Sequence, residues 1–91
     1  MKKISFDPKK RELTLLDRKL DFADCNIVFH SRHLSWIDNR RDYGEERFIT
    51  VGFLNERMVV VAWTWRNKTR HIISLRKANE REKKKFKNQM D

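Results

Sequence analysis

Arg66, Arg70, Ser74 and Arg76 fall on one alternation phase of two adjoining strand-like segments. Side chains alternate between the faces of a strand, so these four are expected on one face. A guanidinium is a planar fork that pairs bidentately with phosphate, and a small hydroxyl beside it lets a ligand backbone approach. The chemistry this phase can do is therefore the binding of a polyanion and the stabilisation of charge on phosphorus. The whole chain supports that reading. It carries 22 Lys and Arg against 13 Asp and Glu, a formal net charge of +9. From Arg66 to Asp91 there are ten Lys or Arg and three acids, so this end holds +7 of the +9. Such an excess points to nucleic acid or to a membrane surface.

Other chemistries are excluded or weak. The single Cys25 allows no internal disulfide and no cysteine-rich zinc site, and within "FADCNIVF" it reads as a buried, inert thiol. His30 and His33 in "HSRH" have no cysteine or acid beside them and read as a solvated loop. No metal and no cofactor is expected. No stretch is long enough to span a membrane and no secretory signal is present, so a reducing cytoplasm fits.

The elements that must position these residues are legible in outline. Ninety-one residues make one domain, 1–91. "ISF" is a short first strand. Asp7 as N-cap and Pro8 at the first helical position start a helix, which Leu13, Leu16 and Leu20 mark as amphipathic to about Lys19. Asp21 caps a second helix through "FADCNIVF", and "LSWID" is a short strand. "ERFITVGF" and "MVVVAWTW" form a hairpin through "LNER", and "TRHIISLR" follows through "RNK". Asn79 and Glu82 form a capping box for a last helix whose packing stripe is Ala78, Phe86 and Met90, a thin stripe that leaves membrane-surface binding as the weaker reading. The expected fold is α+β, a small antiparallel sheet with helices packed on one face.

In the three central strands one phase is bulky: Ile49, Val51 and Phe53, then Val59, Val61 and Trp63, then Ile73 and Leu75. It is expected to meet the helices. The other phase holds Thr50, Gly52, Ala62 and Thr64 with Arg66, Arg70, Ser74 and Arg76, and is expected to be an open anion-binding face. An ordinary solvated face is the alternative. His71 then falls on the helix side as a structural histidine. Trp63 is core, while Trp36 and Trp65 are rim packing or base-stacking surfaces.

The order and spacing of "DPKK", "GEERFITVGF", "VVVAWTWR" and "RHIISLRKANEREKKKF" resemble the BrnT family. These are toxins of type II toxin–antitoxin systems, similar in fold to RelE ribonucleases. The resemblance implies a metal-independent endoribonuclease that stops translation. It implies as partner a BrnA-like antitoxin with a ribbon-helix-helix domain, which brings the complex to operator DNA. The chain departs from the family at Asp17-Arg18-Lys19, where Lys-His-Gly is usual. It departs again at Trp65, where an acid is common between Thr64 and Arg66, and at Phe86, where tyrosine is frequent.

Metal-free RNA cleavage needs a base for the 2′-OH proton, cations for the phosphorane and an acid for the 5′ oxygen. Arg66 and Arg76 match family positions and are the expected stabilisers. Glu45, Glu46, Glu82 and His71 are the candidate bases, with Glu46 placed beside the two arginines. Lys10, Arg47, Arg70, Ser74 and Lys77 are expected to hold RNA, and the lysine run 83–85 is a solvated face or a contact for phosphate or antitoxin. A non-catalytic module that binds nucleic acid or the ribosome would need the same cationic face and is the alternative.

Overall fold

The computed structural model describes residues 3–90, except the side chain of Met90, the last member of the expected packing stripe. Strand β1 (Ile4–Phe6) leads into helix α1 (Pro8–Arg18), a short 3-10 turn (Phe22–Asp24) and helix α2 (Cys25–His30). Strands β2 (Leu34–Ile37), β3 (Phe48–Leu54), β4 (Arg57–Arg66) and β5 (Thr69–Lys77) follow, and helix α3 (Glu80–Met90) ends the chain. The sheet order is β1-β5-β4-β3-β2, with β1 parallel to β5 and every other pair antiparallel. The α+β class holds, with a mixed sheet in place of an antiparallel one. No helix among the described residues is long and apolar enough to cross a membrane.

Local chemistry explains the element ends. The Asp7 carboxylate accepts from the Lys9 amide at 2.9 Å and caps α1. The Asp21 carboxylate does the same for the amide of Ala23, also at 2.9 Å. Both tight hairpins put their two central residues at positive φ: Asn55 (51°) and Glu56 (69°), then Asn67 (51°) and Lys68 (64°). Left-handed backbone at both positions matches the right-handed twist of the flanking strands. Helix α1 ends on Lys19 with φ 60° and ψ 31°. Glycine is the residue that adopts this conformation without Cβ strain. Lys19→Gly should raise stability by about 1 kcal/mol, a rise of about 5 °C in Tm. Thermal unfolding checks it, and an unchanged Tm would mean that Lys19 bears no strain.

Helices cover both faces of the sheet, not one. On one side Phe22, Cys25, Val28 and Phe29 pack against Val59, Val61, Trp63, Ile72 and Leu75. On the other, Ala78 and Phe86 close over Ile49, Val51, Met58 and Val60. Cys25 is fully buried and its thiol is pushed up to about 12 by that burial, which makes it inert.

The expected division of faces fails in β3. Thr50 pairs with Val61, and Val61 with Leu75, so Thr50 lies on the α2 side. Val51 pairs with Val60, and Val60 with Arg76, so Ile49, Val51 and Phe53 face α3. The two small residues serve the core. A Cβ on Gly52 would lie 2.8 Å from Val28 Cγ1, so glycine is what lets α2 sit down on the sheet. The buried Thr50 hydroxyl is hydrogen-bonded to Ser35 Oγ at 2.7 Å and accepts from Trp63 Nε1 at 2.8 Å. In β5 a bulge intervenes: Ala62 pairs with Ser74 but Trp63 pairs with Ile72, leaving Ile73 as the extra residue. Ile72, at 1% exposure, takes the core place expected for Ile73.

Candidate active site

The bulge reverses the phase of β5 before Ile73, and this decides which side chains meet. His71 pairs with Thr64 and with Ser5, and lies on the face away from α2. Its Nδ1 is 2.9 Å from Ser5 Oγ, which fixes the ring. At the end of β4, Arg66 reaches the Glu45 carboxylate at 3.4 Å, and Arg47 approaches the same carboxylate at 3.6 Å. Burial lowers the His71 pKa below its ordinary value, and the charges of Arg66 and Lys10 lower it further against Glu45 and Asp7. The imidazole is therefore neutral at pH 7, half-buried, and set among cations.

The loop between β2 and β3 builds one wall. Asp38 is buried and accepts two bonds from Arg40, at 2.8 and 2.9 Å, and one from Tyr43 Oη at 3.1 Å. The Arg40 guanidinium holds that carboxyl well below the usual carboxylate range. The Arg47 guanidinium lies over the Tyr43 ring at 4.0 Å, and its Nε is buried with no hydrogen-bond partner. The Asp38 amide donates to the Arg47 carbonyl at 2.8 Å, and Thr64 Oγ1 to the Glu46 carbonyl at 2.6 Å. These ties hold Glu45 over the end of β4.

A second site lies on the same face under α3. A groove of about 550 Å³ runs between Trp36, Ser74, Arg76, Arg81, Lys85 and Phe86. Trp36 and Phe86 stack with centroids 5.4 Å apart. The Arg76 guanidinium is already occupied: Glu82 accepts from both terminal nitrogens at 2.8 Å. Glu82 also accepts from the Asn79 amide at 2.9 Å, and Asn79 Oδ1 accepts from the Glu82 amide at 2.8 Å, the expected capping box. The bonds from Arg76, with that from the Asn79 amide, bring the Glu82 carboxyl down to about 2. The stability it contributes is complete above pH 4.5, its ordinary value, and is lost as pH falls through about 2. Acid should therefore loosen α3, read as faster hydrogen exchange in residues 80–89. Uniform exchange across that pH range would count against the latch.

The expected site residues thus divide. Arg66, Lys10 and Arg47 gather around His71 and Glu45. Arg76 and Ser74 lie in the α3 groove, and Arg76 pairs with Val60, six residues along β4 from Arg66, or roughly 20 Å. Arg66 and Arg76 do not share one phosphate. The Glu46 side chain is exposed, and its neighbour Glu45 makes the contacts with cations. Two face assignments are overturned, those of Arg70 and His71. Arg70 lies on the α2 side, its guanidinium over Phe29 at 4.2 Å, Trp63 at 5.2 Å and Trp65 at 5.3 Å. Its Nε is buried without a hydrogen bond, and burial lowers its pKa, so it is a packing residue. Lys77 pairs with Val59 and is on that same side, opposite Arg76. His71 moves the other way, from the helix side to the cationic cluster. Ser5 and Tyr43 were not legible as site residues, because only strand pairing and loop closure bring them in.

Arg18 is the last residue of α1. It donates to the Leu75 carbonyl at 2.9 Å, so this position straps α1 to β5 away from the cationic cluster. Arg76→Ala should leave the rate of any reaction at His71 within about tenfold, since it is remote from that cluster. A loss of a hundredfold or more would place chemistry in the groove.

A comparison with curated proteins finds no match. A family model described as "Ribonuclease toxin, BrnT, of type II toxin-antitoxin system" matches residues 6–82. That span holds α1, the loop with Glu45, the β4–β5 hairpin and the Arg76–Glu82 latch, and the chain belongs to the BrnT family of ribonuclease toxins of type II toxin–antitoxin systems.

Proposed function

We propose that the chain is an endoribonuclease that cleaves RNA without a metal at the His71 cluster and thereby stops translation. The observation that carries this is the neutral, partly buried His71 among Arg66, Lys10, Arg47 and Glu45. Each role of metal-free cleavage then has a residue. His71 takes the 2′-OH proton and the 2′ oxygen attacks phosphorus. Arg66 and Arg47 stabilise the phosphorane, with Glu45 holding both guanidinium groups in place. Lys10 protonates the departing 5′ oxygen. The products are a 2′,3′-cyclic phosphate and a 5′-hydroxyl.

The α3 groove is the RNA-holding surface in this reading, with Ser74, Arg81 and Lys85 along the backbone. A BrnA-like antitoxin with a ribbon-helix-helix domain neutralises the toxin and carries the pair to operator DNA. Induced expression followed by mapping of mRNA 5′ ends tests the activity. New 5′-hydroxyl ends that vanish with His71→Ala support it. Growth arrest with intact mRNA would favour a basic module that binds the ribosome without cutting.

A further inference from the structure

Helix α1 is built inside out. At 3.6 residues per turn, Arg11, Thr14, Leu15 and Arg18 form one stripe and Lys9, Glu12, Leu13 and Leu16 the opposite one. The polar stripe is the one turned inward. Arg11 donates to both Asp21 oxygens, at 2.7 and 2.9 Å, and Arg18 to the Leu75 carbonyl at 2.9 Å. These three bonds fix the rotation of the helix. They leave Leu13 at 64% and Leu16 at 71% exposure, the two most exposed large apolar side chains described. A helix held by its arginines with Leu13 and Leu16 outward offers an apolar stripe to a partner.

We propose that the protein antitoxin docks on this outward stripe with an acidic segment whose apolar side chains cover Leu13 and Leu16. This inference rests on the family reading, which supplies a type II antitoxin as partner. Three features select that occupant. The leucines carry no donors for RNA, and two of them are too few to anchor a membrane. A second copy would bring together two chains of formal charge +9. An acidic segment is instead drawn by the +9 of the whole chain, with Lys10 beside the stripe and Lys9 balanced on it by Glu12, and charge complementarity speeds its association. Lys10 also belongs to the His71 cluster, so a partner seated along Leu13 and Leu16 lies next to the site it must close.

The test is a titration of the purified toxin with the antitoxin encoded in its own operon, comparing parent with Leu13→Glu/Leu16→Glu. The free variant should keep its fold and its ribonuclease rate, because neither leucine touches the core or the cluster. Its affinity for antitoxin should fall roughly 100-fold. Leu16→Met should bind like the parent, and antitoxin should slow hydrogen exchange in residues 8–18 of the parent. Parent affinity in the double glutamate variant overturns the proposal, as does a parent that binds no antitoxin. A free toxin that dimerises, and is made monomeric by the glutamates, assigns the stripe to a second copy and overturns it too. A parent that binds antitoxin but cuts no RNA would sink the endoribonuclease reading and leave the docking result standing.

Discussion

If His71 is the base proposed above, His71→Ala should lower kcat for RNA cleavage roughly 1000-fold, the range expected for loss of a positioned general base. The fold should survive, because the ring is only partly buried and forfeits one side-chain hydrogen bond, to Ser5. That bond is worth about 1 kcal/mol, or about 5 °C in Tm. His71→Gln separates chemistry from structure: it can keep a bond to Ser5 but cannot take the proton, so it should be as slow as alanine. The pH–rate profile adds an independent reading. His71 is held below its ordinary value of 6.5 by burial and by Arg66 and Lys10. Activity should therefore be full at pH 7 and fall on an acid limb lying below 6.5. Removing one cation, Arg66→Ala, should cost two to three decades in rate, or about 3–4 kcal/mol. It should also move the acid limb upward, because a charge that disfavours imidazolium has gone. Lys84→Ala, on the outside of α3, should change neither. Parent rates in His71→Ala would end its assignment as the base, and an unmoved limb in Arg66→Ala would separate the two residues.

What could be read from the sequence was what short range decides. Asp7 and Pro8 start α1 and Asn79 and Glu82 start α3, because a cap and its partner lie within three residues. The hairpin turns were legible for the same reason. The phase of β3 was not. Alternation says which residues share a face, but not which face, and here apolar side chains fill both sides. Thr50 and Gly52 read as a ligand-facing surface when they are small because α2 packs close above them. The bulge at Ile73 was hidden by Ile72 beside it, since either isoleucine satisfies the core. That one residue exchanged the places of Arg70 and His71, and so changed which of them faces Arg66 and Glu45. Helix α1 was misread by the same logic of apolar spacing: the stripe of Leu13 and Leu16 was real but faces outward. The charges themselves told more. Lys10, Arg47 and Arg66 were singled out by charge and side-chain type alone and do come near Glu45 or His71, whereas adjacent Glu45 and Glu46 differ only in which one the loop turns toward β4.

Gly52→Ala tests the corrected sheet directly. The added methyl meets Val28 Cγ1 at 2.8 Å, and the Ser31 hydroxyl and His33 Cβ at 3.1 Å. Val28 is fully buried, so it has no open space to move into. The Ser31 hydroxyl is pinned as well, donating to the Val28 carbonyl at 2.6 Å and accepting from the Phe53 amide at 3.1 Å. Overpacking of this kind costs about 2 kcal/mol, or about 10 °C in Tm for a chain of this size. The first effect should be α2 lifting from β3, seen as faster exchange of the Phe53 amide. Val28→Ala alone also destabilises, by leaving a cavity. The double variant places the new methyl near that cavity, so it should be more stable than the sum of the two losses by at least about 1 kcal/mol. Gly44→Ala is the control: nothing lies within 4 Å of its Cβ, and its φ of +76° is the only source of strain. It should lose about 1 kcal/mol with no coupling to Val28. Were β3 in the opposite phase, with Gly52 on an open anion-binding face, Gly52→Ala would be nearly silent in stability and would show no coupling to Val28. Additive losses in the double variant would therefore remove α2 from its place over Gly52.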